Sequence, residues 1–378
     1  MSATRARLES SRLADPTGSA AAPGDGEPPA LVVGDYLKRV GRGNVGARSL
    51  ARAEMQLLFG AMLDGAVRDL ELGGLLVAFR MKGESLDEVA GALAALQARL
   101  APVPIDPARP VVSIPSYNGA RHSANLTPLL AGLLADAGVQ VIIHGVRQDP
   151  KRTTTCEVIQ AMGLSPAASA AEAGLSLERG NPAFLPIDVL SGPFARLLQL
   201  RERLGVRHLG HTLAKLIAPI DVARHGAAQC VRLMSFTHPE FNRLQHELME
   251  DLGARAVVMR GSEGEAVAGL KRMVQVDWIE NGRTRTLAPG ELRPLGGTAR
   301  SAKGAPMSLA PGRPVLLPPA RDAVATAAWI QAALSGEQPV PDNVARQVAL
   351  ILAAIEGRAA SDRQPDAIDS ASPQASPQ

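Results

Sequence analysis

Apolar residues recur along the chain in two rhythms, and the change between them divides it. From Val32 to about Ala101 the spacing is helical throughout. Leu50–Leu63 forms one helix, started by Ser49 and ended near Gly65. Leu70–Met81 forms a second, closed by Lys82-Gly83. A third begins at Ser85, where Glu88 three residues on completes a capping-box pattern, and Val89, Leu93 and Leu96 form its stripe. Then the period shortens. Val111, Val112 and Ile114 make an apolar run that stops at Pro115, and Tyr117-Asn118-Gly119 supplies turn chemistry. Asn125 or Thr127 caps the next helix, with Pro128 in its first turn. Leu129, Leu130, Leu133 and Leu134 follow at helical spacing, Gly138 ends the helix, and Val139 with Val141–Ile143 makes a second buried strand. A strand–helix–strand of this length is a βαβ unit with parallel strands.

Downstream, helices are expected over Thr153–Met162, Ala168–Ala173 and Pro193–Leu204, then a loop and helix over Val206–Ile217. A strand at Gln229–Phe236, a helix at Pro239–Leu252 and a strand at Ala254–Met259 continue the pattern. Lys271–Ile279 and Arg283–Leu287 read as antiparallel strands, because the Asn281-Gly282 pair between them is a strong hairpin signal. Ala323–Ser335 and Val340–Glu356 are closing helices. The order predicts an α/β protein: a small all-helical domain over 31–101, joined by helices from about 193–217, and a larger α/β domain over 102–358 with a mostly parallel central sheet flanked by helices. The flanks, 1–30 and 359–378, are rich in Ala, Ser, Gly, Pro and charge, and read as a disordered arm and tail.

Composition narrows the class without naming a function. The 378 residues are long enough for two cores. With six Phe, two Tyr and two Trp, aliphatic residues must fill them. Cys156 and Cys230 make no zinc or CxxC pattern, and no run of about 18 apolar residues exists to cross a membrane. The N-terminus has no apolar signal region, so the expectation is a cytoplasmic protein with two reduced, buried thiols. A net charge of +3 says little until its placement is known.

That placement is uneven. Ligands of parallel sheets sit at the carboxyl ends of the strands. There the chain carries Arg121, His122, His144, Arg147, Lys151 and Arg152, with Asp149 as the one nearby acid. A second basic stretch, Arg196–Lys215, holds Arg196, Arg201, Arg203, Arg207, His208, His211 and Lys215 against the single acid Glu202. Solvated faces usually mix signs, so a nearly single-signed segment points to an anionic ligand. Glu263-Gly264-Glu265 after a strand is either a solvated loop or a weak Mg²⁺ site. No Ser/His/Asp set, Walker loop or zinc pattern is present.

The order of these pieces resembles the anthranilate phosphoribosyltransferase fold of glycosyltransferase family 3, over about Leu31 to Glu356. The resemblance implies a fold of the nucleoside phosphorylase/phosphoribosyltransferase class II type. It also shows departures. Pro115-Ser116-Tyr117-Asn118-Gly119 stands where active members carry a GTGGD phosphate loop. Asn125-Leu126-Thr127-Pro128 replaces N-x-S-T, and Ile143-His144-Gly145-Val146-Arg147 replaces KHGNR. Arg201 matches the arginine that recognises anthranilate, and RHLGHTLAKL, with Arg207 kept and Lys215 in place of a proline, matches the segment that follows. The metal-binding Asp-Glu pair falls on Gly264 and Glu265. Asn118, Gly119, Asn125, Thr127, His144, Gly145 and Glu265 are thus vestigial phosphate- and metal-site positions.

The strings PSYNGAR, HGV, RHLGHTLAK and GSEGEA are similar to a divergent subgroup, the YbiB-type proteins. The resemblance implies a homodimer formed through the small domain that binds nucleic acid, DNA or RNA, without sequence preference. No cofactor is expected, and no catalytic residue. Backbone contacts fall to Arg196, Arg201, Arg203, Arg207, His208 and Lys215, then to Arg147, Lys151 and Arg152. The alternative is a phosphoribosyltransferase of altered specificity using phosphoribosyl diphosphate and Mg²⁺, motivated by the survival of Asn125, Thr127, His144, Arg147, Arg201 and Glu265. A third possibility is a scaffold whose groove takes an acidic protein segment.

Overall fold

A computed structural model describes residues 31–237, 239–270, 273–290, 307–309 and 314–357. Both tails, 1–30 and 359–378, lie outside them, as do Lys271 and Arg272 of the expected strand. Every helix and strand belongs to the unit Val33–Gln378.

The helical part holds α1 (Val33–Val40), α2 (Gly43–Gly46), α3 (Arg52–Leu63), α4 (Asp69–Lys82) and α5 (Leu86–Gln97). Helix α3 starts later than Ser49 suggested: its N-cap is Ala51, whose N–H donates to Glu54 at 2.8 Å. The Ser85/Glu88 capping box forms as expected. Glu88 is wholly buried and also accepts from Leu50 N and Lys82 Nζ, so one carboxylate ties the ends of α3, α4 and α5 together. Helices α3 and α5 meet backbone to backbone at Gly91, where a Cβ would lie 2.2 Å from the Arg52 carbonyl oxygen.

The α/β part begins with β1 (Val111–Ser116), α6 (Thr127–Asp136), β2 (Gln140–Gly145), α7 (Thr155–Ala161), α8 (Ala170–Glu178) and β3 (Ala183–Pro186). Strand β1 does not stop at Pro115. Its pairing with β4 has already ended at Ser113, so the missing proline N–H breaks no ladder bond on that side. The N-cap of α6 is Leu126, and Asn125 instead takes the Thr127 N–H through Oδ1. Then come α9 (Ile187–Leu190), α10 (Gly192–Leu204), α11 (Leu209–Leu213), α12 (Val222–His225), β4 (Cys230–Phe236), α13 (Pro239–Asp251), β5 (Arg255–Arg260), β6 (Val276–Glu280) and β7 (Arg283–Ala288). A short pair, β8 (Met307–Leu309) and β9 (Pro314–Leu316), precedes α14 (Ala323–Leu334) and α15 (Asp342–Ile355).

Seven strands form one sheet in the order β3-β2-β1-β4-β5-β6-β7. β1 to β5 are parallel; β6 and β7 add antiparallel. The Asn281-Gly282 turn joins the last two, both residues at positive φ, as the hairpin signal predicts. β1 and β2 are buried at every position, which explains their unbroken apolar runs. Leu129, Leu130, Ile330 and Ile351 of α6, α14 and α15 cover one face. Helix α13 packs against β4–β6 on the sheet and touches α5. Arg52 links the two parts through Asp251 at 2.8 and 3.1 Å, and Gln97 exchanges hydrogen bonds with Ala218. No helix among the described residues is long and apolar enough to cross a membrane.

Candidate functional site

The strand order reverses direction at β1, with β2 on one side and β4 on the other, and a parallel sheet opens its binding crevice at such a point. The loop after β1 and the turn after β5 meet there.

Beneath the loop lies a buried polar chain. Tyr117 Oη is 2.9 Å from His144 Nδ1, and His144 Nε2 is 3.0 Å from Ser113 Oγ. Burial pushes His144 down to about 3, so the ring is neutral. Ser116 donates to Thr155, and Asn125 Nδ2 donates to the Thr153 carbonyl and Thr155 Oγ1. Thr127 is buried without a partner for its hydroxyl among the described residues. Gly145 permits the close approach of the β1 and β2 ends: a Cβ there would lie 1.8 Å from the Ser116 carbonyl oxygen. Ser113, Ser116, His144, Asn125 and Thr155 therefore support the loop from below.

The loop itself is filled by the chain's own carboxylates. Glu265 Oε1 accepts from Asn118 N at 2.9 Å and Gly119 N at 2.7 Å. Glu263 accepts from Arg121 N, His122 N and Ser123 Oγ at 2.7 to 2.9 Å. Between them, the Gly264 carbonyl accepts from Asn118 Nδ2, Lys215 Nζ and Ser235 Oγ. The sequence offered a solvated loop or a Mg²⁺ site here; neither describes it. One carboxylate stands where a pair would be needed. Its Oε1 is held by two amides, and an ammonium sits on the adjacent carbonyl, so the residues do not fit Mg²⁺. No group of three His, Cys, Asp or Glu suited to a metal occurs among the described residues.

Around this plug the structure gathers part of the basic set. Arg207 Nη2 donates to Asn118 Oδ1 at 2.6 Å. Burial pulls the Arg207 pKa down first, with Arg201 and Arg152 adding to it, so these three guanidiniums share one field. Arg152 donates to the Gly119 carbonyl and lies 3.7 Å from Glu263. Lys215 is pushed down to about 8, mainly by burial, with Glu265 opposing and Arg207 assisting. Lys151 and Arg121 are exposed nearby in sequence, and Arg196 is exposed on α10. Others are not brought in. Arg147 pairs with Asp188 at 3.1 Å, and Arg203 lies 3.9 Å from Asp69 of α4. His208 is buried, caps α11 by accepting from Gly210 N, and is held at about 4 by burial, so it offers no charge to a ligand. Missing from the sequence argument was Asn118 as a hub between Gly264 and Arg207, because those contacts span 146 and 89 residues.

A family model described as the helical bundle domain of the glycosyl transferase family matches residues 34–100. The anthranilate phosphoribosyltransferase of Thermus thermophilus superposes with a TM-score of 0.61 at 25% identity, covering 86% of this chain and 89% of that one. That of Anaeromyxobacter is 29% identical over 230 residues, 60% of this chain and 66% of its own length. By fold and homology this is an anthranilate phosphoribosyltransferase-like protein of that glycosyltransferase class. More particularly, the protein YbiB of Escherichia coli K12 is 39% identical over 321 residues, 84% of this chain and 92% of YbiB, and the chain belongs to its family.

Proposed function

We propose that this protein is a homodimer that binds nucleic acid without sequence preference and performs no phosphoribosyl transfer. The observation that carries this reading is the pairing of a filled loop with neighbouring basic groups: Glu263 and Glu265 hold the backbone N–H groups of 118–122 while Arg201, Arg207 and Lys215 lie beside them. Phosphoribosyl transfer requires a diphosphate neutralised by positioned donors and a metal. Here the donors are occupied and the carboxylates do not suit the metal. A rim of Arg and Lys, by contrast, attracts a polyanion and gains from counterion release. Only 3% of residues are aromatic, so base stacking adds little, and a tolerant, salt-dependent association follows.

Dimerisation is supported by an apolar groove of about 730 Å³ on α1, α2, α4 and the end of α10, lined by Leu37, Leu70, Val77, Met81 and Leu204. Leu70 and Met81 lie largely in solvent, at 89% and 68% exposure, and a second copy of this face would cover them. Two basic rims on one particle would engage a long polynucleotide together.

The test is binding of a fluorescent single-stranded oligonucleotide across a salt series, beside calorimetry with phosphoribosyl diphosphate and Mg²⁺. Steeply salt-dependent oligonucleotide binding, without micromolar affinity for phosphoribosyl diphosphate, is expected. A flat salt response, or micromolar phosphoribosyl diphosphate affinity, would overturn the reading in favour of the transferase. Displacement of the oligonucleotide by an acidic peptide at lower concentration would favour the protein scaffold.

A further inference from the structure

Four backbone N–H groups of one loop, those of Asn118, Gly119, Arg121 and His122, converge on two carboxylates of one turn. Backbone donors gathered after a parallel strand form the type of concavity that takes a phosphate group. Here the anion is part of the chain. We propose that Glu263-Gly264-Glu265 is a built-in plug, an autoinhibitory contact that a phosphate group displaces from the 118–122 loop. The plug stands apart from the polynucleotide reading, since it concerns what the loop admits, whatever the rim holds.

Three features make the plug displaceable. Glu263 sits at φ 53°, a left-handed conformation that a residue with a side chain adopts at a cost. Glu265 is 3% exposed, and its Oε2 has no hydrogen-bond partner among the described residues, so half of a buried carboxylate is unsatisfied. Lys215 and Arg207 are desolvated beside it and use their donors on neutral oxygens, the Gly264 carbonyl and the Asn118 amide. A phosphate dianion supplies enough oxygens for the four amides and for both cations. Two carboxylates leave for water and two negative charges enter, so the local charge is unchanged.

The turn has a mechanical handle. Gly264 is at φ 91°, and a Cβ there would lie 2.2 Å from Asn118 Nδ2 and 3.5 Å from Lys215 Nζ. Gly264→Ala should therefore push the turn off the loop without altering any charge, while Glu263→Ala/Glu265→Ala removes the anions themselves.

The experiment uses the full chain and inorganic diphosphate without metal, followed by calorimetry. A plug that is out about one-tenth of the time weakens apparent affinity about tenfold. Both variants should then bind diphosphate about tenfold tighter than wild type or better. Folded variants, checked by circular dichroism, that bind no tighter overturn the plug. Should either fail to fold, the wild type alone decides: high diphosphate should shift the amide resonances of Gly119 and His122, and unmoved resonances refute displacement. The same titration with the oligonucleotide separates the sources. Shifts with both mean that backbone phosphates reach the loop; shifts with diphosphate alone assign it to a free phosphate group. Loss of oligonucleotide binding with an intact diphosphate response would refute the nucleic-acid reading and leave the plug standing.

Discussion

Removing positive charge should matter by position rather than by number. Arg201→Ala/Arg207→Ala and Arg147→Ala/Arg203→Ala each delete two guanidiniums. The first pair belongs to the field around Asn118, where Arg207 feels both Arg201 and Arg152. The second pair is already engaged: Arg147 makes three contacts of 3.1 to 3.2 Å with Asp188, and Arg203 lies 3.9 Å from Asp69. A cation neutralised by a carboxylate has little condensed counterion to release from a strand. For single-stranded nucleic acid each phosphate contact adds about 0.7 to the slope of log affinity against log salt. The first double variant should flatten that slope by about 1.4, and the second by less, because Asp188 already holds Arg147. Anisotropy of a labelled oligonucleotide over a salt series reads both slopes, with thermal melts confirming that each variant folds. Arg207→Lys keeps the charge and loses the forked guanidinium that reaches Asn118, so its slope should match wild type. Equal flattening by the two double variants would refute the placement of the binding surface at this loop.

Three further outcomes follow from buried charge. Glu88→Ala leaves the Lys82 ammonium, only 9% exposed, and the Leu50 and Ser85 amides without their acceptor. It should cost about 3–5 kcal/mol in urea unfolding, and a loss under about 1 kcal/mol would contradict the role of Glu88. Arg232 is buried, its Nε has no partner among the described residues, and its Nη1 reaches the Ala227 carbonyl only at 3.4 Å. Arg232→Met should therefore leave the melting temperature unchanged or raise it, and a fall of several degrees would show that the charge is needed. Lys215 is charged below about 8 in the folded state against 10.5 for the free side chain. Its depressed value penalises folding while the group is charged, so stability should rise as pH goes from 8 to about 9.5, and oligonucleotide affinity should fall over the same interval. Lys215→Gln should remove both slopes; a wild-type pH profile superimposable on that of the variant would refute the assignment.

What the sequence made legible was local. Ser85 and Glu88 are three residues apart, and their capping box could be read directly. The Asn281-Gly282 turn, the glycine stops at Gly83 and Gly138, and the β1–α6–β2 unit likewise need only neighbours. β3 was not legible, because Ala183–Pro186 is four residues long, ends in proline and owes its strand geometry to pairing with β2. Nor was the fate of the Glu263 and Glu265 carboxylates. They meet the loop across 140 to 147 residues, and no periodicity reports such a contact. His144 shows the same limit from the other side. After a strand end it reads either as an anion ligand or, more readily, as a satisfied structural histidine, and neighbours alone do not decide: Tyr117 and Ser113 hold both ring nitrogens and burial keeps it neutral.

The loop and the turn can only be understood as one unit. The family resemblance aligns Gly264 with a metal-binding aspartate, which suggests that a single substitution could restore the missing carboxylate. The geometry forbids it. At φ 91° any side chain is strained, and its first atom would meet the Asn118 amide at 2.2 Å. Asn118 holds its amide there because Arg207 fixes its Oδ1 and the Gly264 carbonyl accepts its Nδ2. That carbonyl in turn seats Lys215. Asn118, Gly264 and Lys215 thus depend on one another, and Glu265 completes the set by closing the amides of 118 and 119. Substituting any one of Asn118, Gly264 or Lys215 breaks contacts made by the others, so the loop and the turn behave as a single structural unit.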